Sequence, residues 1–544
     1  MLRHAFRFPL FLLLLAASLS GPAKLHAQPV LTSAIRGVVV DAGTLAPLPG
    51  ATVAVAESNP LRGAVTDGQG RFLISALPIG QYRLQVTYMG YAPVMTEALV
   101  VVSGKETRTT VQMSETMVTA SEVEIRAGYR KSAAINRMAT VSARSFSVDE
   151  TFRFAGSYND PARMVANFAG VTSGIDNRND IIVRGNSPSG MQWRIDDMEI
   201  PNPNHFAAVG TTGGPVTILN NNLVTNSDFF TGAFPAQYGN TTAGIFDLKM
   251  RSGHPERHEY WFGIGWNGLE FGTEGPFTRR HNASYLVAYR YSPLQFLGLF
   301  GVDVGFIPKY QDLTLKITVP TAKAGTFTLT GIGGISSIDL FDSRKEQDEW
   351  LFPDYGEDLS NGSGLGVTGL SHQYLFKSGV MLKNLLYVVG SGTETKIDTF
   401  SSVARTPAPW AGERSTEIRY AWAGSVVKKF SAGDILSAGA SWDLFDMSFN
   451  DSVMMHGSFL VNTGSRESMQ FLRGYLQWHH AFNAKWSADA GLYGCRMTLG
   501  HAWAAEPRLG LEWQAGERHT LSFGAGLFSQ MQPRVIYYVL SGPA

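Results

Sequence analysis

The chain has 544 residues, room for three or more domains, or for two domains and a large β-barrel, at about 100–200 residues per domain. With 45 basic and 45 acidic residues, and with 11 Trp, 19 Tyr and 32 Phe, it lacks both the composition of a disordered chain and the basic footprint of a nucleic-acid binder. The single cysteine, Cys495, excludes a disulfide framework and a cysteine-cluster metal site, and a mean hydropathy of −0.04 argues against a helical membrane bundle but not against a barrel apolar on one face.

At the N-terminus, Arg3, His4 and Arg7 precede an apolar run from Pro9 to Ala17, and the small residue Ala27 stands before Gln28. Residues 1–27 therefore read as a secretory signal peptide, because the run falls short of the ~20 residues a spanning helix needs. No later stretch has 18 uninterrupted apolar residues, so no spanning helix is expected.

Residues 34–113 alternate short apolar runs with turn residues. Ile35 to Val40, Ala51 to Val55 and Arg71 to Ile74 read as strands, and Asp67-Gly68-Gln69-Gly70 reads as a hairpin connection. Residues 81–88 read as one strand with Tyr82, Leu84, Val86 and Tyr88 on one face. Regular short strands of this kind indicate a small β-sandwich. The elements Gly37-Val38-Val39, Pro49-Gly50-Ala51-Thr52-Val53, Gly70-Arg71-Phe72, Leu77-Pro78-Ile79-Gly80 and Tyr88-Met89-Gly90-Tyr91 resemble the carboxypeptidase-regulatory-like domain that precedes many Bacteroidetes outer-membrane receptors. Peptidase activity is not implied, since residues 33–113 contain no histidine to bind zinc. An accessory binding or docking module is expected.

A linker, 114–127, follows, and its residues Glu115, Thr116, Met117, Val118, Thr119 and Ala120 are β-prone. Residues 128–251 carry the most specific pattern. Asp160 before Pro161 reads as a helix N-cap. Then come Val183-Arg184-Gly185-Asn186, Asp196-Asp197, Pro201-Asn202-Pro203-Asn204-His205-Phe206, Phe234-Pro235-Ala236-Gln237-Tyr238-Gly239-Asn240 and Gly244-Ile245-Phe246-Asp247-Leu248-Lys249. In that order they resemble the plug domain of a Bacteroidetes TonB-dependent receptor. The resemblance implies an α/β plug and makes 115–120 a TonB box, paired by strand addition with a periplasmic TonB-type energy-transducing protein. The alternative for 115–120 is a plain linker strand. Asp196 and Asp197 invite comparison with paired catalytic carboxylates. Neighbouring strand residues point to opposite faces, however, so a turn is expected instead. His205 reads as structural or ligand-proximal.

From 252 to 544 the pattern alternates. Tyr285, Val287, Tyr289 and Tyr291 share one face, as do Leu436, Ala438, Ala440, Trp442 and Leu444, against small or polar residues on the other. Transmembrane β-strands need this, with lipid outside and water or plug inside. Short connections (278–282, 321–325, 377–379, 431–434, 483–485, 514–518) alternate with long ones (292–309, 337–362, 392–415, 446–467), the habit of periplasmic turns and outer loops. Trp261, Trp266, Trp422 and Trp478 near strand ends suit interfacial girdles. About thirteen strands are expected where plugged transporters have 22. The reading is a mainly β receptor: sandwich, plug, and the N-terminal part of an outer-membrane barrel, apparently lacking its C-terminal part.

The matches to G-x-G-x-x-G at 263–268 and 364–369 open no helix and read as strand glycines. His254 and His258 flank Pro255 in a strand context that opposes a zinc helix, and Ser425-Val426-Val427-Lys428 has no companion motif. No catalytic residue, cofactor or metal is assigned. The expected function is an outer-membrane receptor that takes up an unidentified extracellular ligand, energised through TonB, with membrane lipid and no nucleic acid as its surroundings. The alternative is a binding protein for a glycan or a protein, without transport; a periplasmic hydrolase comes third.

Overall fold

The structure is a computed structural model. It describes residues 31–116, 134–292, 308–534 and 536–537, apart from 105, 137, 175, 177, 208–210, 266–267, 279–281, 351–354 and 517–518. The signal segment, Met117, Val118, Thr119, Ala120 and Trp266 lie outside the described residues.

Three small sheets build the N-terminal domain. One runs in the order Arg71–Pro78, Thr32–Asp41, Thr107–Met113, the last pair parallel. A second runs Gly63–Val65, Thr52–Val55, Leu84–Thr87, Val94–Met95, and a third pairs Gly80–Tyr82 with Leu99–Val101. The single strand expected over 81–88 is thus two, broken at Arg83. Its halves serve different sheets, while the alternation still drives Leu84 and Val86 into the core beside Ile35, Val53, Phe72 and Ile74.

The next domain is a five-stranded sheet in the order Ala143–Phe146, Ser227–Phe230, Gly244–Leu248, Met191–Ile195, Met198–Ile200. Two short helices, Val148–Arg153 and Pro161–Val165, pack beside it. Ser147 and Glu150 form a reciprocal capping box on the first, and the Asp160 carboxylate accepts from the Ala162 N–H at 2.9 Å on the second. The cap read from Asp160-Pro161 is therefore present. Trp193 stacks on Phe246 with ring centroids 4.0 Å apart, at the centre of a core that extends to the inner faces of the following strands.

Among the described residues thirteen strands follow, from Glu259–Gly265 to Thr520–Gly526, each hydrogen-bonded antiparallel to the next. They wrap the plug, and the first and last of them are not paired with each other. Five of them, Tyr355–Leu375, Val380–Ser401, Ala408–Ser431, Asp434–Met455 and Ser458–Ala481, run for 21 to 24 residues. The long connections expected at 392–415 and 446–467 are consequently mostly strand, and strand takes half of 337–362, with two short 3-10 turns at Asp342–Arg344 and Gln347–Glu349. The ladder continues through pairs such as Thr395 with Glu413 and Phe449 with Ser465, and at Met455 the chain turns back over His456 and Gly457, both at positive φ. The apolar alternation stops where the strands leave the apolar band, but backbone pairing does not, and only the former is visible in sequence.

The outward face carries a belt of exposed apolar side chains: Phe262, Leu386, Tyr420, Leu472, Leu509 and Phe523 are all at least 46% exposed. A surface of that extent suits lipid. Trp422 and Trp478 lie on it, and Trp486 stacks on its cross-strand partner Trp513 at 5.2 Å. Trp261 does not join the girdle. It turns inward against the plug core and donates to Glu270, because its strand neighbours Tyr260 and Phe262 take the outward positions.

Candidate functional site

The site is the seat of the plug in the barrel. The strands Met191–Ile195 and Met198–Ile200 form a hairpin whose two-residue turn is Asp196-Asp197, with φ of 48° and 70°. Left-handed backbone at both central positions is the signature of a tight primed turn, which Asp tolerates better than most residues. The expectation of a turn holds, but the opposite facing of neighbouring strand residues does not separate these two carboxylates. In a turn the strand alternation no longer applies, and both acids face the barrel. Asp196 accepts from Lys316 Nζ at 2.7 Å, from Thr330 at 3.1 Å and from the Met250 N–H at 3.0 Å. Asp197 binds Lys249 and Lys383. Burial alone would raise both acids, but these ammonium groups hold them below the ordinary carboxylate range.

One strand residue further on, Glu199 meets Arg473 at 2.7 Å, and its carbonyl accepts from Arg419 at 2.6 Å. Both arginines also face Asp443, at 2.6 and 3.5 Å. Burial pushes the Glu199 carboxyl up, but the two guanidinium groups more than offset it and hold it at about 2.

The loop from Pro201 to Phe206 is held by amides and by the barrel wall. Asn204 donates to Asn202 at 2.7 Å and accepts from Asn179 at 2.7 Å, and Asn179 also reaches the cap residue Asp160. Asn202 donates to the carbonyls of Thr211 and Gly213. Pro203 supplies its carbonyl to the Ile218 N–H. His205 is fully buried with Nε2 3.0 Å from Asp312, which is bridged in turn by Arg290. Burial lowers the His205 pKa against the pull of Asp312, so the ring is neutral. The Phe206 N–H donates to Ser336 at 2.9 Å.

Arg184 and Gly185 form a tight turn with φ of 51° and 79°, and the exposed Arg184 donates to Ser142 at 2.8 Å. Tyr238 donates to Asp247 at 2.7 Å. Gly239 lies so close to the barrel that a Cβ there would stand 2.0 Å from the Tyr493 ring. Beside it, Arg508 spans to the carbonyls of Phe234, Pro235 and Tyr238 at 3.1, 2.6 and 2.5 Å. The motif residues of the plug thus converge on its contacts with the barrel and on its own turns. Sequence reasoning missed their partners Lys316, Lys383, Arg290, Arg419, Arg473 and Arg508. Their signal was a charge on the polar face of an alternating strand, which in a water-filled barrel needs no partner.

At the leading end of the plug, Asp228 accepts from the Ile135 and Asn136 N–H groups, both at 2.8 Å. Burial, helped by Asp247, raises its pKa to about 7. A raised carboxyl binds its proton more tightly when folded. Its contribution is full below the ordinary value of 3.8 and is lost as pH rises through about 7. Asp228→Asn should therefore flatten the pH dependence of plug unfolding between pH 4.5 and 7.5. Parallel slopes for the two proteins in denaturant titrations would refute this. Glu115 and Thr116 of the linker lie against the N-terminal domain, Glu115 bridged to Tyr91.

Comparison with known proteins fits this geometry. Residues 34–114 match the carboxypeptidase regulatory-like domain. The chain is 26% identical over 289 residues to the TonB-dependent transporter Oar of Myxococcus xanthus, an alignment covering 50% of this chain and 25% of that protein. Among solved structures, the siderophore receptor PirA from Acinetobacter baumannii gives a TM-score of 0.52 at 14% identity, covering 73% of this chain and 62% of that one. The FrpB iron transporter from Neisseria meningitidis gives 0.50 at 13%, covering 72% and 64%. The fold is that of a TonB-dependent receptor. This chain joins an N-terminal carboxypeptidase regulatory-like domain to it, and spans a quarter of the length of the curated relative and less than two thirds of these receptors.

Proposed function

We propose that the chain is an outer-membrane receptor for active uptake of an extracellular ligand, driven by a periplasmic TonB-type protein acting on residues 115–120. The observation that supports this reading is a folded plug tied into a barrel by ion pairs, buried at Asp312 and half-buried at Asp196, Asp197 and Glu199, with a β-prone linker at its leading end. Such a plug blocks the lumen at rest, and passage requires mechanical work on it. Asp228, which clamps the amides just beyond the linker, stands where a pull would first be felt. Ligand would bind on the outer side of the plug. The reading assigns no catalytic chemistry.

The test uses the purified chain in detergent and the periplasmic domain of TonB from the same source. Capture of the full chain and loss of capture on deletion of residues 115–120 are expected, with the chain itself fractionating with the outer membrane. Equal capture of both forms refutes energised transport through this segment and favours a binding protein without transport.

A further inference from the structure

The N-terminal domain grips the rest of the molecule at two places. On one side, Arg36 pairs with Glu256 at 2.9 Å, Glu106 accepts from Arg36 and faces His254 at 3.1 Å, and Arg108 meets the buried Glu274 at 2.9 Å. On the other, the barrel turn around Lys429 reaches the domain. The Lys429 ammonium lies 2.7 Å from Asp41 and 2.7 Å from Glu115, with its charge 5.5 Å from the centre of the Tyr91 ring. Lys429 and Asp41 are 13% and 5% exposed, so that arm of the bridge is shielded from water, while the Glu115 side chain is 39% exposed.

The same place holds the start of the linker as a strand. The Ala92 N–H donates to the Ser114 carbonyl at 2.8 Å, and the Thr116 N–H donates to the Gly90 carbonyl at 2.7 Å. Glu115 and Tyr91 form an antiparallel bridge between them, and Tyr91 donates to Asp41 at 3.0 Å. Strand addition is the mode by which an extended segment is bound by a partner, and an edge already filled is closed to it. Glu115 and Thr116 also line a cavity of about 2490 Å³ between the domain, the plug and the barrel wall, together with Asp228, Lys249 and Lys383.

We infer that the N-terminal domain is a latch: its 90–92 edge is a docking surface for residues 114–116 of this chain, and Lys429 of the barrel locks that strand in place, so that the linker becomes available to TonB only when the domain undocks from the barrel mouth. This rests on the reading of 115–120 as a TonB box. Two opposite charges and one aromatic ring meet at a single lysine, so the strand and the domain are released together. Asp41 keeps its hydrogen bonds from Gly43, Thr44 and Tyr91 when Lys429 is lost, so the domain itself stays folded in a variant.

Two variants of the full chain in detergent test it. Lys429→Gln removes the lock. Gly43→Cys with Ile435→Cys, in a Cys495→Ser background, closes it, because a Cβ at Gly43 lies 3.6 Å from Ile435 Cγ1. The first measurement needs no TonB: hydrogen exchange of the Thr116 amide should be about tenfold faster in Lys429→Gln and slower in the oxidised double-cysteine variant than after its reduction. The second is the affinity of the periplasmic TonB domain, expected to be about tenfold tighter for Lys429→Gln, weaker for the oxidised variant, and restored by reductant. Unchanged Thr116 exchange in Lys429→Gln overturns the latch. Faster exchange with TonB affinity equal to that of the starting chain overturns its control of TonB. Faster exchange with no capture of any form, the starting chain included, supports the docked strand and overturns the TonB-box reading itself.

Discussion

Replacing Glu199 by alanine is expected to loosen the plug from its seat by about 3–5 kcal/mol, the cost of breaking a buried ion-pair network by removing one partner. Glu199 supplies one of the two carboxylates that face Arg419 and Arg473, and Asp443, 1% exposed, supplies the other. Without Glu199 two guanidinium groups share a single acid in a place that water barely reaches. The net positive charge left there carries most of the penalty, and Glu199→Gln leaves the same charge, so its retained acceptor should recover only a small part of the loss. The Glu199 carbonyl still accepts from Arg419 in both variants. Hydrogen exchange resolved by segment checks this. Amides of Met191–Ile195 should exchange faster in Glu199→Ala, while those of Val380–Ser401 keep their protection. Uniform loss across plug and barrel would show that Glu199 supports the whole molecule and not the seat.

Arg290→Met should cost a similar amount, about 3–5 kcal/mol at pH 7.5, and should also reverse the sign of one pH dependence. Arg290 holds Asp312 at 2.7 Å and the Thr217 carbonyl of the plug at 2.5 Å. With Arg290 present, burial keeps His205 neutral, its pKa lowered from 6.5. The folded state then resists the proton, so this group's contribution is lost as pH falls below 6.5. In Arg290→Met the buried Asp312 has only His205 left as a counter-charge. The folded state now favours the proton, the His205 pKa rises, and stability is gained as pH falls through it. Between pH 7.5 and 5 the variant should therefore recover part of its deficit, read from thermal melts of both proteins across that window. A deficit that stays constant or widens on acidification would refute the His205–Asp312 coupling.

These predictions concern residues of very different visibility. Asp160 before Pro161 announced a cap, and a cap is a local event set by one side chain and the next three amides. Asp196-Asp197 between two short apolar runs announced a turn on the same grounds. The charged partners were not readable in that way. Lys316, Lys383 and Arg473 each sit on the polar face of an alternating strand, where a charge facing water, a charge facing a plug and a charge facing nothing give one pattern. What separates them is which plug residue stands opposite, and that depends on register and on how deeply the plug is seated. Strand length was hidden for a related reason. Alternation reports lipid on one side, so it marked the apolar band and stopped, while the Tyr355–Leu375 and Val380–Ser401 ladder ran on in polar sequence.

By itself, then, the sequence determined the local and periodic features: the alternation that makes thirteen two-faced strands, the inward set Leu84 and Val86, the caps and turns, and the order of the motifs that resemble a plug. Each is dictated by a residue and its near neighbours along the chain, where propensity and spacing act directly. Only the tertiary structure decided that Asp196 and Asp197 share a bed of lysines, that Glu199 is clamped by two arginines from the strands on either side of Asp434–Met455, and that Lys429 reaches both Asp41 and Glu115 across more than 300 residues of chain. The energy of an ion pair depends on distance and on the exclusion of water. Neither quantity exists until the strands have closed around the plug.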